Sequence, residues 1–229
     1  MERAGHAALS LIARLYPKAK TLSVVVGGGD NGGYGYVLAR LALQAGLDVR
    51  VYPAIPISDL NGDSLTAYKD LASFGIEFLP FIPQDFEGAE VLVDALMGTE
   101  FIGPIEPSDR SIINAMNHYR WACTPAQSKH RAIVSLDIPS GLKSETGAIM
   151  DSAVKADVTL TFVKRMQGLF TGEGPEHSGQ VFFDDLKSES ILAGKFKPSS
   201  RLFMPSFPFL PARSLSSHKG MLGHALVLG

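Results

Sequence analysis

The glycine-rich run Gly27–Gly35 is the first segment of the chain that could do chemistry. Six of its nine residues are glycine, and a predicted strand, Leu22–Val26, leads directly into it. Glycine lets the backbone approach a ligand closely, and the amino terminus of the helix that follows favours an anion such as a phosphate. The run therefore predicts an anion-binding loop between a strand and a helix.

Oxygen-bearing side chains come at the ends of two further predicted strands. Asp94 lies near the end of Val91–Leu96, and Asp137 and Ser140 come at the end of Ala132–Ile138. Ligands of an open parallel sheet bind outside the carboxyl ends of its strands, so these side chains should meet at one edge. The oxygen atoms of Asp94, Asp137 and Ser140, together with the amide oxygen of Asn31 in the glycine-rich run, are suitable ligands for a hard cation. Each segment alone also fits ordinary turn chemistry, and it is their coincidence at one edge that favours a site.

The elements that must position these segments alternate between helices and strands. Apolar periodicity predicts helices over 2–15, 37–45, 64–74 and 108–119. Short apolar runs predict strands over 22–26, 48–52, 76–79, 91–96, 132–138, 158–163 and 180–183. Such alternation favours a mostly parallel sheet covered on both faces. The predicted fold class is α/β, a three-layer α/β/α Rossmann-like domain with a mostly parallel sheet, plus a C-terminal linker or arm.

The composition excludes several classes of protein. The 229 residues are 45% hydrophobic and have a formal net charge of -2 with no long run of either sign, which argues against a nucleic-acid partner and a charge-driven membrane partner. Every apolar run is broken well before the roughly 20 residues that a transmembrane helix needs. The single cysteine, Cys123, cannot form an internal disulfide, so a reducing compartment is expected. These features predict a soluble, cytoplasmic protein.

Two other enzyme classes fit parts of the sequence less well. The string Gly27-x-Gly29-x-x-Gly32 matches the dinucleotide fingerprint of nicotinamide dehydrogenases. That fingerprint also requires an acid near the end of the second strand, where this chain has Tyr52-Pro53-Ala54. A serine hydrolase is weaker still, because the turn at Ser140 lacks the flanking glycines of a nucleophile elbow.

Several longer motifs resemble those of one known family and run in the family's order along residues 1–186. They are Met1–Gly5, Gly29–Gly35 with Val37–Arg40, Val93–Thr99, Asp137–Gly141 with Thr146-Gly147, and Ala156–Phe162 with Gly168-Leu169. With these motifs the chain resembles the NAD(P)H-hydrate epimerase family, the N-terminal part of the bifunctional NAD(P)H-hydrate repair enzyme. Two tail segments, His218–Gly220 and Gly223–Gly229, resemble the opening of the ADP-dependent NAD(P)H-hydrate dehydratase domain.

The resemblance implies a domain organisation and partners. Residues 1–190 would form the epimerase-like domain, 191–217 a linker, and 218–229 the truncated start of a dehydratase-like domain, with the fused dehydratase domain continuing beyond residue 229. Members of the family interconvert the R and S forms of hydrated NADH and NADPH, which is a step of nicotinamide nucleotide repair. The implied partners are hydrated NADH or NADPH as substrate and a second copy of the chain in a homo-oligomer.

The resemblance also implies roles for individual residues. By position, Asn31, Asp94 and Ser140 would hold a potassium ion (K+), and Asp137 would be the catalytic acid and base. The implied substrate-binding residues are Asp30, Asn31, Gly32, Gly33, Tyr34, Gly98, Thr99, Glu100, Phe101, Ile102, Gly103, Pro104 and Asp137.

Four residues depart from the family pattern. Asp30 and Tyr34 replace an asparagine and an aspartate of the glycine-rich run, Glu100 stands where the family mostly has glycine, and Met166 takes the place of a lysine. Asp30 and Glu100 add negative charge where phosphates would bind, which lowers affinity unless a cation compensates. The departures leave an alternative open, a catalytically degenerate nucleotide-binding or structural domain that supports the fused dehydratase.

Overall fold

A computed structural model describes residues 1–81, 86, 88–121, 131–188 and 198–202 of the chain. The chain divides into two compact units, Met1–Phe196 and Lys197–Gly229. In the second unit the described residues, 198–202, are exposed and form neither helix nor strand. Cys123, most of the predicted linker over 191–217 and the whole predicted dehydratase start over 218–229 lie outside the described residues. None of the described helices has the length and apolar character that crossing a membrane requires.

A six-stranded sheet with entirely parallel pairing forms the centre of the first unit. The strands are β1 Thr21–Val26, β2 Asp48–Pro53, β3 Val91–Ala95, β4 Ala132–Leu136, β5 Val158–Phe162 and β6 Gln180–Asp184. They lie in the order β2-β1-β3-β4-β5-β6. The chain runs outward from β1 to β2 and then returns across β1 to β3, so the strand order reverses between β1 and β3. Such a reversal is where open α/β sheets bind ligands.

Helices cover both faces of this sheet. They are α1 Glu2–Leu15, α2 Gly29–Gln44, α3 Gly62–Ala72, α4 Pro107–Trp121 and the short α5 Gly174–Ser178. Alternate residues of β1 belong to opposite cores: Val24 and Val26 pack in the cluster that holds α1, α2 and α3, whereas Val25 packs in the cluster that holds α4. Because both faces of the sheet are buried, the strands are continuous apolar runs in the sequence. The predicted α/β fold class is confirmed.

The structure differs from the sequence prediction in the glycine-rich run. Helix α2 begins at Gly29, so most of the predicted loop is the first two turns of the helix. Interior glycines disfavour a helix by roughly 1 kcal/mol each relative to alanine, and here close packing outweighs that preference. A Cβ on Gly32 would overlap the carbonyl oxygen of Gly27, and one on Gly35 would lie 2.7 Å from the Cβ of Ala95. The glycines therefore let α2 lie directly against the ends of β1 and β3.

Two further segments differ from expectation. The predicted strand over 76–79 is reduced to a single bridge between Phe78 and Val51. The connection from β4 to β5, residues 137–157, contains no helix among its residues, all of which are described. This irregular crossover matters for the site because it carries Asp137 and Ser140.

Candidate active site

A cavity of about 300 Å³ lies at the carboxyl ends of β1, β3 and β4. It is positioned by the reversal of strand order, where the segments that follow β1 and β3 separate and expose their backbone. Its lining residues are Gly27, Gly28, Gly29, Asp30, Asn31, Tyr34, Ile55, Leu96, Met97, Gly98, Thr99, Glu100, Phe101, Asp109 and Asp137. Loop backbone, four carboxyl groups and a phenol therefore share one concave surface.

Asp137 lines this cavity directly after β4. Its backbone has a φ of 65°, a left-handed conformation that aspartate tolerates better than most residues. The side chain is only 8% exposed and accepts hydrogen bonds from Thr99 and from the backbone of Phe162. Burial raises the pKa of the Asp137 carboxyl, and these hydrogen bonds together with the charge of Lys164 oppose the rise without cancelling it. A carboxyl group with a raised pKa inside a cavity is a candidate general acid.

Asp94 is fully buried and organises the loop that carries Ser140. Its Oδ1 accepts hydrogen bonds from the Ser140 hydroxyl at 2.5 Å and the Leu96 amide at 3.3 Å. Its Oδ2 accepts hydrogen bonds from the Ser135 hydroxyl at 2.7 Å and the Ser140 amide at 2.9 Å. Burial raises the pKa of Asp94, and these four hydrogen bonds oppose the rise. Asp94 and Ser140 therefore join the ends of β3 and β4 underneath the cavity rather than lining it.

Asn31 connects the cavity to this buried pair through the backbone of Met97. Its Nδ2 donates a hydrogen bond to the Met97 carbonyl at 2.8 Å, while the Met97 amide donates to the Ser140 hydroxyl at 2.9 Å. Asn31 is 3% exposed, and its Oδ1 has no hydrogen-bond partner. A buried acceptor without a donor is rare and fits a cation ligand. The three residues predicted to hold potassium thus surround a single backbone segment.

The side-chain atoms of Asn31, Asp94 and Ser140 are of the kind that binds a hard cation. In the part of the chain that the structure describes, no group of three or more His, Cys, Asp or Glu could hold a metal ion. The predicted set instead combines an amide oxygen, a hydroxyl and one carboxylate, which are oxygen ligands.

Tyr34 lies beside Asp137, and its phenol has a raised pKa. Its ring meets Phe162 edge to face, with 5.2 Å between the ring centroids. Burial, followed by the charges of Asp30, Asp137 and Glu100, raises the pKa of Tyr34 to about 12. The phenol therefore stays neutral at physiological pH and can donate a hydrogen bond into the cavity.

The structure places the predicted substrate-binding residues in two groups. Those that line the cavity are Asp30, Asn31, Tyr34, Gly98, Thr99, Glu100, Phe101 and Asp137. Those that do not are Gly32, Gly33, Ile102, Gly103 and Pro104. Gly32 and Gly33 are buried in helix packing, and Ile102 is 95% exposed.

Sequence reasoning missed part of the lining. Ile55, Leu96, Met97 and Asp109 line the cavity as well. Ile55 follows β2 and Leu96 follows β3, so their position just beyond carboxyl strand ends is the signal that marks both. Asp109 comes from the first turn of α4, and no motif marks it.

Comparison with known proteins places this site in a family. Residues 1–168 match the family model described as YjeF-related protein N-terminus, a span that contains every residue that lines the cavity. The chain belongs to this family. It is 37% identical to the bifunctional NAD(P)H-hydrate repair enzyme Nnr of Coxiella burnetii, across 100% of this chain and 45% of that protein. It is 32% identical to an NAD(P)H-hydrate epimerase of Limosilactobacillus fermentum, across 81% of this chain and 84% of that protein.

Membership in the YjeF-related family confirms the resemblance drawn from the motifs. The crystal structure of yeast ynu0 has a TM-score of 0.62 and 22% identity over 80% of this chain and 76% of that chain, which supports the fold alone. The names of the relatives favour an epimerase over a non-catalytic domain. The chain spans less than half the length of the Coxiella relative.

Proposed function

We propose that this chain catalyses the interconversion of R- and S-NAD(P)H hydrate, an isomerase reaction of nicotinamide nucleotide repair. The observation that carries the proposal is Asp137, a buried carboxyl group that lines the cavity at the reversal of strand order. Membership in the YjeF-related family, with relatives named NAD(P)H-hydrate epimerase, supports the same reaction.

Epimerisation at a carbon that bears a hydroxyl next to a ring nitrogen can proceed by breaking and re-forming its C–O bond. Protonated Asp137 donates a proton to the hydroxyl, water leaves, and the ring nitrogen stabilises the resulting cation with its lone pair. Water then adds to the opposite face and returns a proton to Asp137. The two steps restore the carboxyl group, so no co-reactant is consumed. General acid–base catalysis of this kind contributes roughly 10²–10⁴-fold.

The remaining lining residues would bind and orient the substrate. The Gly28 cap of α2 contributes no side-chain hydrogen bond, which leaves the first-turn amides of the helix available to a phosphate. Thr99 holds the Asp137 carboxyl in place, and the neutral Tyr34 phenol lies beside it.

The direct test is an assay with one purified epimer of hydrated NADH. We expect the protein to interconvert the epimers faster than they interconvert spontaneously, as followed by chromatographic separation of the two forms. A rate equal to the spontaneous one, at several protein concentrations, would overturn the proposal.

The pH dependence of the reaction should report the state of Asp137. Its pKa is raised, so the protonated acid persists to higher pH than in an ordinary aspartate. We expect kcat/KM to fall as the pH rises through this raised pKa, because the proton donor is lost. The check is a pH–rate profile from which the spontaneous rate has been subtracted. A catalysed rate that increases steadily with pH would contradict a role as proton donor.

We also propose that Asn31, Asp94 and Ser140 hold a potassium ion. The unpartnered Oδ1 of Asn31 and the buried carboxylate of Asp94 support this assignment. A bound cation would supply positive charge beside an otherwise acidic cavity.

Potassium should therefore stabilise the fold. We expect the Tm to rise by a few degrees in about 100 mM KCl relative to choline chloride of equal ionic strength, because an ion that binds the folded state stabilises it. Asn31→Leu removes the unpartnered oxygen and should abolish this difference. Equal Tm values of the wild-type protein in the two salts would refute the potassium site.

The length of the relatives suggests which domain accompanies this chain in the complete protein. This chain matches less than half of the bifunctional Coxiella protein, so we propose that it acts beside an ADP-dependent dehydratase (lyase) domain in the complete protein. The homo-oligomer and the cytoplasmic location stay predictions. Light scattering of the purified protein tests the first, and fractionation of cells tests the second.

A further inference from the structure

Tyr34, in the second turn of α2, brings a phenol to the cavity. Its side chain is half-buried. Its hydroxyl makes no hydrogen bond to any residue that the structure describes. A hydroxyl group that lines a cavity without a protein partner is available to a bound molecule, because it can donate one hydrogen bond and accept others.

Phe162, at the end of β5, holds Tyr34 and Asp137 next to each other. The two aromatic rings meet edge to face, with 5.2 Å between their centroids. The backbone amide of Phe162 donates a hydrogen bond to the Asp137 carboxyl group. Besides burial, the charges of three other lining residues, Asp30, Asp137 and Glu100, raise the pKa of the Tyr34 phenol. The hydroxyl therefore lies among the cavity residues, beside the carboxyl group of Asp137.

The proposed reaction needs a second hydrogen-bonding group at the oxygen that leaves. Once Asp137 has protonated the substrate hydroxyl, the oxygen carries two hydrogens and positive charge develops on it. One hydrogen stays bonded to the Asp137 carboxylate, and the other needs an acceptor in a cavity that excludes most of the solvent. A phenol oxygen is such an acceptor, and in the reverse direction the same two contacts hold the water that adds.

On the basis of the proposed function, we infer that Tyr34 is a second catalytic residue, whose hydroxyl forms a hydrogen bond with the oxygen that leaves the ring carbon or adds to it. The proton that moves belongs to Asp137: it passes to the substrate oxygen as the C–O bond breaks, and a proton returns as the bond re-forms. Tyr34 keeps its own proton throughout. Burial, followed by the neighbouring acidic charges, raises its pKa to about 12, so the phenol is neutral over the pH range of an assay.

The test is Tyr34→Phe, which removes only the hydroxyl group. The ring that meets Phe162 is kept, so the Tm should stay near the wild-type value. We expect kcat for epimerisation to fall roughly 10–100-fold, as for the loss of one hydrogen bond to a developing charge. Calorimetric binding of the hydrate should change much less. The fall should be present across the whole pH–rate profile, because the phenol does not ionise within it.

Tyr36→Phe is the matched control in the same helix. Tyr36 is completely buried, its hydroxyl has no partner among the described residues, and it does not line the cavity. Its ring packs edge to face against Tyr68 and Phe78. The substitution makes the same chemical change two residues further along α2 and should leave kcat unchanged.

The outcomes separate this inference from the proposed function. A wild-type kcat in Tyr34→Phe, with the wild-type protein active, would overturn the role of Tyr34 and leave the epimerase activity standing. An equal loss of kcat in the two variants would also overturn it, because the loss would then come from the packing of α2. A loss confined to the pH range in which Asp137 is ionised would show that the hydroxyl acts only through that carboxyl group, and would overturn its contact with substrate. If the wild-type protein epimerises neither hydrate, the proposed function and this inference both fail.

Discussion

Asp137→Asn should remove most of the epimerase acceleration while the substrate still binds. The carboxyl group is the proton donor and acceptor of the proposed mechanism, and an amide cannot perform either step. Loss of general acid–base catalysis predicts a kcat lower by roughly 10²–10⁴-fold. Asparagine has nearly the same shape, accepts the left-handed φ of 65°, and keeps an oxygen that can accept the hydrogen bond from Thr99. Calorimetric binding of the hydrate should therefore change little.

The stability of the same variant distinguishes lost chemistry from lost structure. The pKa of Asp137 is raised in the folded protein, so its contribution to stability is present below the unfolded pKa and is lost as the pH rises through the folded pKa. Above this raised pKa the buried, ionised carboxylate is therefore less favourable than a neutral amide. We expect Asp137→Asn to match or exceed the wild-type Tm at a pH above the raised pKa, with the advantage disappearing in acid. A native epimerisation rate in this variant would remove Asp137 from the mechanism, and a lower Tm than the wild type across the pH range would indicate a structural role.

The strands could be predicted because both faces of the sheet are buried. The run Val24–Val26 alternates between two hydrophobic cores, so each residue is apolar and the strand stands out from the flanking polar sequence. The rule for ligands at carboxyl strand ends then placed Asp94 and Asp137 at one edge. That part of the site follows from the parallel sheet, which the apolar runs and the alternation of helices and strands predict.

The parts of the site that the sequence does not predict depend on contacts between residues far apart in the chain. Asp94 accepts a hydrogen bond from Ser135 because the register of β3 and β4 places the two residues side by side, and no local pattern specifies that register. Local propensity likewise predicts a loop over Gly29–Gly35, whereas packing against Gly27 produces a helix. The exposure of Ile102 could not be predicted from the sequence either, because isoleucine side chains are more often buried than exposed.

The packing of α2 against the sheet makes Gly32→Ala a strongly destabilising substitution near the site. A methyl group at this position would overlap the Gly27 carbonyl oxygen and lie 2.7 Å from its carbon. Backbone cannot yield as a side chain does, so α2 would have to move away from the ends of β1 and β3. Overpacking of a close contact costs typically 1–3 kcal/mol and occasionally more, and we expect the upper end of this range. Urea denaturation of the purified variant measures the loss.

The neighbouring glycine provides the control for this prediction. A methyl group on Gly33 would meet the sulfur and, at 2.6 Å, the Cε of Met1, which is the flexible end of a side chain and can move. Alanine is also favoured over glycine inside a helix by roughly 1 kcal/mol, which offsets part of the cost. Gly33→Ala should therefore unfold at nearly the wild-type urea concentration, and Gly32→Ala at a much lower one. Equal midpoints for the two variants would show that α2 does not lie against Gly27, and the cavity that depends on this contact would then need a different shape.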